Sequence, residues 1–243
     1  MSLVKDFLGT TVGKKVVMAC TGVVLLVFVV GHMLGNLKMF AGIDPASGRY
    51  KLDLYAEFLR AIGAEFMGHE TFLWGFRAVL LICLILHVTA ALQLASLNAK
   101  AKPINPKRQW FGSANPASRS MLYGGLFLLC FVVFHILHFT TGHMHYRGFV
   151  HGAVYANVFE GFQSAPVTAF YVLAMACLAL HLYHGTWSLF QTLGIDSPLW
   201  NNGLRTVAKI VAVVMFLGFS AVPAASSLKL IPGPAAAIQQ GGH

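Results

Sequence analysis

An all-α membrane protein with five transmembrane helices is the fold class this sequence predicts, and three observations predict it. Of 243 residues, 57% are hydrophobic and only 10% are charged, whereas a water-soluble domain carries about 25% charge. The apolar residues fall in five long blocks, not in the short alternations of a half-buried sheet. Each block is long enough to cross about 30 Å of hydrocarbon at about 1.5 Å per residue. This composition argues against an ordinary soluble enzyme, and no phosphate-binding glycine loop or nucleophile elbow is present.

The first block follows Lys14 and Lys15 and so imitates a signal peptide, but it is too long and lacks a cleavage signal, so a retained span is expected over Lys15–Phe40. The other spans are expected at Phe76–Asn98, Arg119–Gly142, Pro166–Thr192 and Arg205–Ser227, the whole chain 1–243 forming a single transmembrane domain. Within the Ala41–Gly75 connection, Leu52, Tyr55, Leu59 and Ile62 recur at helical spacing, which predicts an amphipathic or solvated helix at the membrane surface. Pro103, Pro106 and Pro116 break up the Lys100–Arg119 connection. The tail from Pro232 to His243, rich in Gly, Ala and Gln, is expected to be flexible.

Lys and Arg number 17 against 8 Asp and Glu, for a net charge of +9. The basic residues cluster between apolar blocks, so they read as topology signals and as contacts to anionic lipid or a partner subunit, with no nucleic acid involved. Lys100, Lys102, Lys107 and Arg108 share one connection without an acid, which places that connection and the N-terminus in the cytoplasm and the C-terminus outside. Cys20, Cys83, Cys130 and Cys177 all lie within apolar blocks, and no CxxC or CxxCH is present. Disulfides, a thiolate zinc site and covalent c-type haem therefore lose support, and the cysteines are expected to be small core residues.

Any chemistry must then lie inside the bundle. Six of the eleven histidines fall within spans: His32, His87, His135, His138, His181 and His184. An unsatisfied imidazole in hydrocarbon costs several kcal/mol, about 2–7 for a polar group without a partner, so intramembrane histidines are functional candidates. A lone one can simply bond a carbonyl of a neighbouring helix. Four different spans each supply at least one, however, and depth sorts them. His32 and His135 lie about eight and seven residues from the outer ends of their spans, and His87 and His181 lie farther in, at the same distance as each other from the inner ends of theirs. Taking His138 for His135 would offset the first pair by roughly 6 Å, and His184 for His181 the second by roughly 4.5 Å.

Two imidazoles facing each other at one height are what a six-coordinate haem iron needs, since the porphyrin supplies only the four equatorial nitrogens. Two such pairs would hold one haem in each half of the membrane, and with both axial positions taken the expected task is electron transfer. Gly22 lies ten residues before His32, and Gly125 ten before His135, where a missing side chain could admit a macrocycle edge; small residues also simply let membrane helices pack.

At these residues the chain resembles the diheme cytochrome b membrane subunit of succinate:quinone oxidoreductases, the succinate dehydrogenase and fumarate reductase family of respiratory complex II. The resemblance covers essentially the whole chain and rests on Gly13-Lys14-Lys15, Gly31-His32-Met33-Leu34-Gly35-Asn36-Leu37, Leu86-His87-Val88 and Phe134-His135-Ile136-Leu137-His138-Phe139. His181-Leu182-Tyr183-His184-Gly185 carries it most strongly, with Trp187-Ser188 and Gln191-Thr192-Leu193-Gly194 after it. It implies that His87 and His181 hold an inner haem b, and His32 and His135 an outer one. It also implies a flavoprotein partner carrying FAD, an iron–sulfur partner, a quinone, of which menaquinone fits a diheme anchor better, and residence in the bacterial cytoplasmic membrane. Members use an acidic residue near the outer haem at the quinone site, for which Glu57 and Glu65 are candidates. Some carry a glutamate two residues before the fourth-span ligand, where this chain has Ala179, which puts a transmembrane proton path in doubt. His138 and His184, one turn from the expected ligands, are candidates for haem propionates or a quinone oxygen, and equally for backbone carbonyls.

Two other functions fit the same pattern less well. A cytochrome b subunit of another quinone-linked dehydrogenase differs only in its partners. A transporter relaying protons or ions through intramembrane histidines would be expected to show broken helices and inverted repeats, neither of which is evident.

Overall fold

Thr10 caps the start of the first long helix: its hydroxyl accepts from the Gly13 amide at 2.9 Å, satisfying one of the donors a helix start leaves orphaned. The computed structural model describes residues 6–7, 9–100, 116–195 and 197–234, with no side-chain detail for 116–120. The helix so capped, α1 (Thr11–Asn36), ends in a tight turn at Leu37–Ala41. It is followed by α2 (Lys51–Ala61), α3 (Ala64–Met67), α4 (Thr71–Lys100), α5 (Pro116–Phe139), α6 (Val154–Gly161), α7 (Ala165–Thr192) and α8 (Asn201–Ser227).

Five of these, in α1, α4, α5, α7 and α8, are long and apolar enough to cross a membrane, so the chain is an all-α, multi-pass membrane protein. The expected spans agree with them to within a few residues at each end. The proline-broken, basic part of the Lys100–Arg119 connection at 101–115 and the tail from residue 235 lie outside the described residues.

α1 packs most extensively on α4, and α7 on α5 and α8, with α8 also reaching α1. Small side chains permit the α7–α8 contact: Ala174 and Ala208 are fully buried and Ala212 nearly so. In hydrocarbon, helix association depends on such close packing, because lipid tails are as apolar as leucine. One third (33%) of the most apolar window of α8 is buried, against 11% for each of the first three spans. The one span without a histidine is thus the best enclosed, packed on α7 and α1.

α2, α3 and α6 gather at one end of the bundle, called here the upper end. The helix expected from Leu52, Tyr55, Leu59 and Ile62 is α2, with Leu52 buried and Tyr55 beneath it against α1. Nothing in the sequence reading anticipated α6, a short helix between the third and fourth spans. Its start has no cap of its own; the carboxylate of Asp53 on α2 accepts from the Tyr155 amide at 2.8 Å and caps it from outside. Burial pushes the Asp53 carboxyl above the usual carboxylate range, and the α6 amides partly offset this.

The tightest core lies at this end. Met39, Tyr50, Leu52, Tyr155, Phe159, Phe162 and Tyr171 pack together, and Tyr50 and Tyr155 stack with ring centres 3.6 Å apart. Burial, with Tyr50 alongside, pushes the Tyr155 hydroxyl up to about 12, so it stays a donor. It donates to the Pro232 carbonyl at 2.7 Å, while Tyr50 donates to that of Gly233 at 3.3 Å. The start of the expected flexible tail, at Pro232 and Gly233, is therefore tied down. Gly142, just past α5, has φ +75°, where any Cβ would be strained and would also lie 2.5 Å from the Phe149 ring.

The cysteines depart from expectation. All four are free, but none is buried: Cys20 and Cys130 are exposed and Cys83 and Cys177 intermediate. In a membrane helix an apolar environment is available at the lipid surface as well as in the core, so an apolar block does not specify which face a small thiol takes.

Candidate functional site

α1 and α5 bring His32 and His135 together near the upper end, with ring centres 5.8 Å apart and planes at 82°. α4 and α7 bring His87 and His181 together lower in the bundle, with ring centres 6.3 Å apart and planes at 59°. These are the two pairs that depth selected. An imidazole nitrogen bonds a metal at about 2 Å and lies about 1.1 Å from its ring centre, so two imidazoles on opposite sides of one metal place their centres about 6.2 Å apart. Both observed separations are within half an ångström of that.

The donors support such a ligand set unequally. His87 Nδ1 lies 3.2 Å from the Met18 carbonyl and 3.2 Å from Thr21 Oγ1. Since a carbonyl only accepts, the proton sits on Nδ1 and Nε2 is left as a bare donor atom for a metal, the usual outer support of a ligating histidine. His135 Nδ1 lies 3.3 Å from the Tyr171 hydroxyl. His181 Nδ1 is buried without a hydrogen-bond partner. Apolar rings close the upper pair in: Phe28 and Phe219 lie against His32, and Phe131 and Phe139 against His135.

The two glycines sit at the lower level. A Cβ on Gly22 would lie 3.4 Å from His87 Cε1, and one on Gly125 would lie 3.5 Å from His181 Cε1. Ten residues of helix are about 15 Å, so the helices that carry the upper histidines turn glycine toward the lower ones. The sequence expectation gave these glycines as places for a macrocycle edge without saying at which level; the missing side chains leave room beside His87 and His181. The same interval places Tyr171, ten residues before His181 on the oppositely directed α7, at the upper level. Sequence reasoning missed Tyr171, although this spacing was a usable signal for it.

His138 and His184 stand apart from the pairs. His138 is fully buried, its Nδ1 lies 2.9 Å from the Tyr171 hydroxyl, its Nε2 has no partner, and the His145 ring lies tilted against it with centres 5.1 Å apart. His184 lies beside Tyr183. Glu57 is exposed and its carboxylate accepts from Arg49 at 2.7 Å, while Glu65 is exposed on α3 with no ion pair among the described residues. Both carboxylates are thus at the upper surface, outside the histidine-lined interior. Ala179 lies within α7, one turn above Tyr183.

No family model, curated protein or solved structure matches the chain.

Proposed function

We propose that this chain is the membrane cytochrome b subunit of a succinate dehydrogenase or fumarate reductase, carrying electrons between an iron–sulfur subunit and membrane quinone. The observation that supports this most is the meeting of four imidazoles from four helices as two facing pairs at two levels. His32 and His135 would hold one haem b and His87 and His181 the other, through the iron. Bound there, haem b would supply a one-electron couple for carrying electrons and, held by two histidines, would not take up oxygen.

The chain's own residues then have defined tasks. Met18 and Thr21 hold the His87 proton on Nδ1, orienting Nε2 inward. Gly22 and Gly125 leave space beside the lower pair. Phe28, Phe131, Phe139 and Phe219 exclude water from the upper pair. With the upper end outside and the basic 101–115 connection in the bacterial cytoplasm, that connection would dock the iron–sulfur subunit, itself attached to an FAD-bearing flavoprotein. The quinone, menaquinone by the resemblance, would bind near the upper pair, with Glu65 the freer of the two candidate carboxylates.

The test is a haem count, a reduced-minus-oxidised spectrum and succinate-dependent haem reduction on the purified complex. Two low-spin haems b are expected; His87→Ala and His181→Ala should each lose the same one, and His32→Ala and His135→Ala the other. A wild-type complex without haem, or a loss of haem in His184→Ala with both retained in His181→Ala, would overturn the assignment. Haem reduced by hydrogen or formate but not by succinate would move the chain to another quinone-linked dehydrogenase.

A further inference from the structure

Tyr171 is buried at the upper level, and its hydroxyl faces two imidazole nitrogens at once, His135 Nδ1 at 3.3 Å and His138 Nδ1 at 2.9 Å. A phenol has one proton to donate, so it can donate to only one of the two and must accept from the other. If it donated to His135, that ring would carry its proton on Nε2, toward His32, and could not bond a metal there. We propose that Tyr171 is the positioning residue of the upper pair: it accepts from His135 Nδ1–H, donates to His138 Nδ1, and so holds His135 with Nε2 bare and turned to His32. This rests on the proposed ligation of a haem iron by His32 and His135.

The surroundings fit this role. The Tyr171 ring is fixed by Phe131, Phe162 and Phe139, with centres at 5.0, 4.9 and 5.7 Å, so its hydroxyl has little freedom to leave the two nitrogens. His138 is fully buried and spends its Nδ1 on Tyr171, which leaves its proton on Nε2, the atom without a partner. A wholly buried histidine with one ring nitrogen unsatisfied is costly to keep. Its retention is accounted for if its work is to receive the Tyr171 proton. Such outer partners make a ligating imidazole more basic, and removing one typically costs about 10- to 100-fold in metal affinity or activity.

The test compares wild type, Tyr171→Phe and His138→Ala in the purified complex, by redox titration and low-temperature electron paramagnetic resonance of the two low-spin haems. Tyr171→Phe keeps the packed ring and deletes only the hydroxyl. The expected result is a shift of the upper haem's signal and a rise of its midpoint potential, or about a 10-fold or greater loss of its affinity, with the lower haem unchanged. His138→Ala leaves the acceptor hydroxyl in place, so a smaller shift of the same haem is expected, and this variant decides the matter if Tyr171→Phe does not assemble. Both haems unaltered in Tyr171→Phe, or in His138→Ala should the first not assemble, would overturn the positioning role, and so would equal shifts of both haems. A wild-type complex lacking bis-imidazole signals would instead sink the haem reading itself.

Discussion

Replacing Gly125 by valine should cost the bundle its lower haem and spare the upper one. A Cβ at this position lies 3.5 Å from His181 Cε1, already at ordinary contact. Valine adds methyls about 1.5 Å farther out, and in a helix its χ1 is held to one rotamer, so it cannot swing clear. A methyl aimed at the ring then comes within roughly 2–3 Å, inside the contact distance of about 3.5–4 Å. Either His181 or α5 must move by about 1 Å. Overpacking of this kind costs about 1–3 kcal/mol, which is about 5- to 150-fold in haem affinity. Alanine, by contrast, only reaches contact and should bind both haems as wild type does. The assay is haem titration into haem-depleted complex, with the two sites told apart by midpoint potential. Loss of the upper haem in Gly125→Val, or equal damage from alanine and valine, would refute the placement of this glycine beside His181.

Three further outcomes concern the upper end. Gly161→Ala places a Cβ 2.7 Å from the Phe139 ring and 3.2 Å from His138 Cε1, and rigid rings cannot yield easily, so faster hydrogen exchange of α6 amides is expected, at about 1–3 kcal/mol of local stability. Asp53→Ala removes the external cap of α6 and should cost about 0.5–2 kcal/mol by the same measurement. Because burial raises the Asp53 carboxyl above its ordinary 3.8, the folded cap takes up a proton more readily than the unfolded chain. Its stability should therefore rise as pH falls from above the raised value toward 3.8 and level off below, and Asp53→Asn should abolish that dependence.

The five spans were legible because hydrocarbon tolerates so few residue types that composition and length suffice to mark them. The histidine pairs were legible for a related reason: helix rise converts position in a span into depth, and equal depth is a necessary condition for facing. What depth cannot convey is direction around the helix axis. For Gly22 and Gly125 the sequence shows only a distance of ten residues to His32 and His135. Across the bundle they face His87 and His181, which belong to other helices. The cysteine expectation failed for want of the same direction, since an apolar block does not tell a lipid-facing side from a packed one. α6 escaped notice because its eight residues are too short to show a periodicity and its cap comes from Asp53, about a hundred positions away.

By itself, then, the sequence determined the number of crossings, their approximate ends and the heights of the imidazoles, all of which follow from one-dimensional spacing in an apolar solvent. The tertiary structure alone decided which faces meet: the two ring separations, the room beside the lower pair, the Tyr171 hydroxyl between His135 and His138, and the bonds from Tyr155 and Tyr50 to the Pro232 and Gly233 carbonyls. Those depend on helix rotation and on contacts between distant segments, and close packing between helices, not local propensity, sets them.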